Sequence, residues 1–171
     1  MLTIRLDGEV RGKGRPRFNG QTGRAYTPQQ TRAYEAELRA AAQQAMRAAG
    51  LPVFAGPVRV SVLAEEADPD SWSKWKRDAA LIGLVRPTVK PDSDNILKML
   101  DALNPVKRKV SGKKIVEPVV WSDDSIVVDV YLEKHYSTTP GLTVTVTPLN
   151  AAPAQITRRD QLPPGGAQCA S

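Results

Sequence analysis

Lys90-Pro91-Asp92-Ser93-Asp94-Asn95-Ile96-Leu97-Lys98 is the stretch on which the reading of this chain turns. A proline pushes the residue before it toward an extended backbone. If that conformation continues past Pro91, Asp92 and Asp94 point to the same side, because residues two apart share a face of an extended chain. Asp94 is also a suitable N-cap for a helix carrying Ile96, Leu97, Met99, Leu100 and Leu103. On such a helix Lys98 lies one turn past Asp94 and Asp101 two turns past it, on roughly one face. A second acidic pair, Asp123-Asp124, precedes the strand-like run Ile126 to Leu132.

Clustered carboxylates repel one another, and a hard divalent cation resolves that repulsion. Mg²⁺, with Mn²⁺ as a substitute, takes one or two carboxylates, waters and often substrate phosphates. Such an ion polarises a phosphoryl oxygen and generates hydroxide near neutral pH. A lysine beside it, here Lys98, can orient the attacking water or stabilise the charge of the transition state. The plainer reading is a capping aspartate among solvated surface acids. Lys98 and the second acidic pair favour the metal-binding one.

The order K-P-D-x-D-N-x-x-K-x-x-x-D-A-L-N over Lys90 to Asn104, followed by W-x-D-D-S-x-V-V from Trp121, resembles the RusA-type Holliday-junction resolvases of bacteria and their phages. Gly12 to Phe18 with Ala25-Tyr26-Thr27-Pro28 is a weaker match, and Ser71-Trp72-Ser73-Lys74 is similar to the phage-type branch. The resemblance implies a homodimeric, metal-dependent endonuclease that resolves four-way DNA junctions by paired symmetric cleavage in recombination and repair. It implies that Asp92, Asp94 and Asp124 hold the metal and that Lys98 assists the chemistry. Asp123 is the neighbouring candidate ligand, and Asp101 is expected to be structural, paired with a nearby cation. Two rival readings stand beside it: a non-catalytic junction- or DNA-binding protein, and a flap or fork nuclease of broader substrate choice.

Composition agrees with a polyanionic substrate. The net charge is +6 and the pI about 9.6, while acids are concentrated in two short motifs. A basic surface attracts nucleic acid, and the acids hold metal where the backbone is to be cut. Cys169 is the lone cysteine and His135 the lone histidine, which excludes an internal disulfide, a cysteine-based zinc site and paired-histidine chemistry. A hydrophobic content of 41% with no leader and no long apolar run points to a soluble cytoplasmic protein with no membrane partner, and the resemblance implies that the cell is bacterial.

Leu2 to Val10 alternates as a strand. Arg11 to Arg24 is a basic loop with four glycines, in which Arg11, Lys13, Arg15 and Arg17 are placed to contact DNA phosphates. Thr27-Pro28 opens a helix with Tyr34, Leu38, Ala41, Ala42, Ala45 and Ala49 as its apolar stripe, ended by Gly50. Pro57 to Ala64 is a strand. A short helix over Trp72 to Ile82, stopped by Gly83, presents Trp72, Trp75, Lys74, Lys76 and Arg77 for stacking on unpaired bases or contact with phosphates; the alternative is indoles resting on the core. Asn104 caps the central helix. Residues 105–118 form a basic insertion, longer than the resemblance leads one to expect, with Lys107, Arg108, Lys109, Lys113 and Lys114 around Gly112. It reads as a flexible arm or hairpin that grips DNA. Leu142 to Thr147 is the last strand.

These elements predict a mixed α+β (α/β) domain over 1–148. Its small mixed sheet of four to five strands packs on two main helices. Residues 149–171, rich in Ala, Pro, Gly and Gln, read as a disordered tail.

Overall fold

The computed structural model describes residues 1–149, so the tail from 150 onward lies outside the described residues. The fold is mixed α+β. Its central sheet is built from β1 (Leu2–Asp7), β4 (Val58–Glu66), β7 (Val127–Tyr136) and β8 (Gly141–Pro148) in the order β1-β8-β4-β7. β8 runs antiparallel to both β1 and β4, whereas β7 runs parallel to β4. A parallel neighbour needs a long crossover. That crossover, residues 67–126, carries both acidic motifs.

Strand alternation decides which face is buried. Leu2 and Ile4, Val58, Val60, Val62 and Ala64, and Leu142, Val144 and Val146 all face the core. The intervening residues, including Arg5, Arg59, Thr143 and Thr145, form a polar face stitched by ion pairs from Arg5 to Glu65 and from Arg59 to Asp129. The apolar face is covered by α1 (Gln29–Ala49) through Tyr34, Leu38, Ala42 and Met46. Met46, not Ala49, closes the stripe, because Ala49 lies beyond the packed turn and is exposed. Gly50 ends the helix at φ 59°, where its N–H meets the carbonyls of Met46 and Arg47. Leu149, assigned to the tail from sequence, donates its N–H to Pro57 O at 2.9 Å and extends the folded part by one residue.

Three local expectations change. The central helix is two short pieces: α3 (Ser93–Leu97), then a 3₁₀ segment over Lys98–Leu103. Ile96, Met99 and Ala102 recur every third residue and are fully buried, which suits a helix with three residues per turn. Asp92, not Asp94, holds the N-cap position, with extended φ −69° and ψ 150°; Asp94 lies inside the first turn. The extended conformation therefore stops at Asp92, and the shared side expected of Asp92 and Asp94 from strand-like spacing does not arise that way. The helix expected over 72–82 is α2 (Lys74–Leu81), with Ser73 at its N-cap.

The basic regions also gain structure. Within the Arg11 to Arg24 loop, β2 (Arg17–Phe18) pairs with β3 (Ala25–Tyr26). The 105–118 insertion is a hairpin of β5 (Val106–Val110) and β6 (Lys113–Glu117). Its two-residue turn, Ser111-Gly112, takes φ 49° and 80°, the positive values a type I′ hairpin requires.

Candidate active site

Asp92 and Asp94 are exposed at the start of α3. The Asp92 carboxylate makes no capping hydrogen bond. Asp94 accepts from Lys98 Nζ at 2.8 Å, one helical turn on, and that hydrogen bond holds its carboxyl below the usual range. Both partners are more than half exposed, so the pair contributes little to stability. Its consequence is positional: a cation stands beside Asp94.

The second acidic motif is tied to the first by a residue the sequence marks only as a cap. Asn104 does occupy the C-terminal cap of the 3₁₀ segment. Its amide also accepts from Trp121 Nε1 at 2.5 Å and donates to Asp124 Oδ2 at 3.1 Å. Trp121 is fully buried, so the indole fixes Asn104 and Asn104 fixes Asp124. Asp123 is engaged differently. It caps its own turn by accepting from Ser125, which lowers its pKa, with nearby Lys107 adding to the effect. Of the adjacent pair, Asp123 serves the turn and Asp124 is held by the Asn104 bridge.

The loop that presents Asp92 is clamped by Lys134, a β7 residue to which the sequence assigns no role. Its Nζ donates to the carbonyls of Val89 and Pro91, the latter at 3.0 Å; the Lys90–Pro91 bond between them is cis. Burial raises the pKa of Glu66, and the Lys134 charge opposes that rise.

Gly12-Lys13-Gly14 lies against α3. Lys13 N–H donates to Asn95 O at 2.8 Å, and Gly14 N–H to Thr31 Oγ1 at 3.2 Å. A β-carbon on Gly12 would stand 2.9 Å from the Cβ atoms of both Asn95 and Pro91, so only glycine fits. Lys13 Nζ binds Asp101 at 2.6 Å and lies 3.2 Å from Glu35. Burial lowers its pKa, but these two acids outweigh burial and the net shift is upward. Asp101 thus has a lysine partner. Lys13, placed among the DNA contacts by sequence, points its ammonium at protein.

Between the loop and the acidic motif runs an open groove of about 970 Å³. Arg11, Arg15, Arg17 and Lys90 line it together with Asp92 and Asn95. The structure therefore brings Asp92 and all four predicted loop cations to one groove, although the ammonium of Lys13 is engaged by Asp101 and Glu35. The α2 cations are elsewhere. Lys76 sits 3.9 Å over the Trp72 ring, which meets Tyr136 edge-on at 5.0 Å. Arg77 is tied to Asp68 and Asp70, leaving Lys74 and Trp75 exposed. Lys107, Arg108, Lys109, Lys113 and Lys114 are exposed along the hairpin.

The family profile described as endodeoxyribonuclease RusA matches residues 7–147. The chain belongs to the RusA endodeoxyribonuclease family. The match spans the groove, both acidic motifs and the hairpin. A Bacillus subtilis (strain 168) relative, the uncharacterized protein YqaN, is 32% identical over 149 residues, covering 84% of this chain and 94% of the relative. Membership makes the protein a nuclease of the Holliday-junction-resolving type that acts on branched DNA. Among the described residues no helix is long and apolar enough to cross a membrane.

The residues suit a hard divalent cation in kind. Asp92, Asp94 and Asp124 offer only oxygen, and none lies in an apolar pocket. No three acidic, histidine or cysteine side chains converge among the described residues. That is compatible with Mg²⁺, which commonly uses one or two carboxylates and completes its shell with water and substrate phosphate.

Proposed function

We propose that the protein resolves four-way DNA junctions by metal-assisted, paired symmetric hydrolysis, working as a homodimer in the bacterial cytoplasm in recombination and repair. The observation that carries this reading is the groove in which Arg11, Arg15, Arg17 and Lys90 lead to Asp92, beside the Asp94–Lys98 pair. Cations along a groove draw in a phosphate backbone and fix its register without reading bases. The acids at its end repel that backbone unless a cation stands between them.

Asp92, Asp94 and Asp124 would serve Mg²⁺ or Mn²⁺, one or two of them as direct ligands and the rest through the ion's waters, with Asp123 left to its turn. Bound there, the ion supplies Lewis-acid polarisation of the phosphate and a more acidic water. Lys98 carries its positive charge to the place where negative charge grows on the scissile phosphate. Lys134 and the Asn104–Trp121 bridge keep the two acidic elements in place while DNA occupies the groove. A homodimer suits the near two-fold symmetry of a four-way junction, since it presents two such sites to two symmetric strands.

Asp92→Asn, Asp94→Asn and Asp124→Asn, measured for junction cleavage with Mg²⁺ and for metal-free binding, test the reading. Each amide keeps the shape and loses the charge, so cleavage should fall by about two orders of magnitude or more. Metal-free affinity should hold or rise, because a repelling carboxylate is gone. Three variants that cut junctions at the wild-type rate would overturn the site. Flap and fork substrates, cut as fast as the junction by wild type, would overturn the junction preference. Sedimentation showing only monomer, with cleavage intact, would overturn the dimer.

A further inference from the structure

The hairpin of β5 and β6 breaks a rule that stable hairpins keep. Its register pairs Lys107 with Val116 and Lys109 with Lys114, so Lys107, Lys109, Lys114 and Val116 share one face. The other face carries Val106 opposite Glu117, Arg108 opposite Ile115 and Val110 opposite Lys113. Like charges placed directly across a ladder destabilise it. The one acid of these two strands, Glu117, is on the opposite face, 3.5 Å from Arg108. Among the described residues the lysine face holds no acid of the hairpin itself, though Asp123 lies near Lys107, while the other face has Glu117.

Among the described residues no packing offsets that repulsion. The two strands pair with each other in a sheet of their own, and from Lys107 to Glu117 every strand residue is exposed. Val110 and Val116 stay more than half exposed. An isolated two-stranded hairpin is marginal in water. A local conflict of this kind, uncompensated among the described residues, is expected at a functional surface.

The position of the face identifies the counterpart. The hairpin leaves the 3₁₀ segment two residues after Asn104 and returns to the chain just before Trp121, the two residues whose side chains hold Asp124. Lys107 is close enough to Asp123 to act on it electrostatically. A polyanion that reaches Asp124 therefore comes close to the root of this hairpin. Lys107 and Lys109, on alternate residues of an extended strand, stand about 7 Å apart and present their charges in one row.

We infer that the Lys107, Lys109 and Lys114 face of the hairpin is a clamp that binds the DNA phosphate backbone on the Asp124 side of the site, whereas the Arg108 and Lys113 face stays off the DNA. The inference rests on the DNA-cutting function proposed above and adds which face of the hairpin meets the substrate.

The test compares two variants of the full chain on a synthetic four-way junction, without metal, across a range of salt. Lys107→Gln, Lys109→Gln and Lys114→Gln together should flatten the slope of log affinity against log salt by roughly one unit per lysine. Arg108→Gln with Lys113→Gln should change it by less than about half a unit. A triple-variant change above one unit, with the paired variant below half a unit, supports the clamp; any other pattern of slopes overturns it. Melting temperature is the control for folding. It should hold or rise in the triple variant, because repulsion has been removed, and a fall of several degrees would overturn the inference by making this face part of the fold. Sedimentation reads the competing occupant: a change of assembly with an unchanged slope would assign the face to a second copy of the chain. A wild-type protein with no salt-dependent junction binding would bring down the proposed function as well. A wild type that binds and cuts, with an unchanged slope in the triple variant, would bring down the clamp alone.

Discussion

Lys13 and Lys109 both sit in short basic segments close to glycine, and the sequence gives them the same role. The structure builds the two segments in opposite ways. Lys13 is folded down between Asp101 and Glu35, its own N–H bonded to Asn95 and its neighbour Gly12 touching Pro91. Lys109 faces Lys114 across an exposed hairpin with no acid on its side. A basic residue in a sequence states a charge and not its partner. In the first segment the partners are protein acids, and the charge positions a loop. In the second, Lys109 and Lys114 have no ion-pair partner among the described residues, and their charge remains available to a ligand.

The sharpest way to break this contrast is Gly12→Ala. The added β-carbon meets two Cβ atoms anchored to backbone, so the loop must lift from α3. Overpacking of this sort costs about 1–3 kcal/mol. Because Arg11 and Arg15 flank the contact, junction cleavage should fall by about 10-fold or more. Wild-type cleavage and melting temperature would show that the docked loop is as free as the hairpin.

Lys134→Met probes the same docking from the other side. Loss of two bonds to the loop before Asp92 should lower the cleavage rate by about 10-fold, with metal-free junction affinity nearly unchanged. It also removes the charge that restrains Glu66, whose folded pKa burial already raises. A raised carboxyl contributes stability below its unfolded pKa and loses it as pH rises through the folded value. The variant's stability deficit should accordingly grow from acid to neutral pH. Adding Glu66→Gln should remove that pH dependence, and thermal melts between pH 4 and 7 in buffers of equal ionic strength would read it.

Lys13→Met should cost about 1 kcal/mol, the scale of a half-exposed ion pair. Its folded pKa is raised, so its contribution is complete below the unfolded lysine value and is lost as pH rises through the folded one. The gap between wild type and variant should stay constant through neutral pH and close in strong alkali. A gap independent of alkaline pH would mean that packing of the side-chain stem, not the ion pair, holds the loop.

The smallest effect belongs to the hairpin. Replacing Lys107–Val116 by two glycines, with Val106 retained for its core contact, should leave the melting temperature within about 2 °C. A larger drop would show that the hairpin is packed like the loop and that the two segments do not differ as described.

Much of the architecture is legible one residue at a time. Alternation in Val58-Val60-Val62 and in Leu142-Val144-Val146 marks strands, because a pleated chain sends every second side chain to one face. Tyr34, Leu38 and Ala42 mark a helix for the equivalent reason at a period near four. The acidic motif with its lysine, and the W-x-D-D run, are also readable, since composition and short spacing are local properties. The break of the central helix into α and 3₁₀ pieces is less so. The same apolar residues satisfy both periods over so short a segment, and packing against α1 selects the tighter one.

What the sequence by itself determined, then, was the set of elements, the acidic chemistry and the excess of cations, all of which depend on residues within a turn or two of one another. Partnership was decided by tertiary structure. Asn104 reaches Trp121 and Asp124 across seventeen and twenty residues, Lys134 reaches back more than forty to Pro91, and Lys13 crosses eighty-eight to Asp101. Such contacts form only when the β4–β7 crossover folds back over α1 and closes on the first loop. The energy of each depends on which polar group arrives within about 3 Å, a distance that no local pattern encodes.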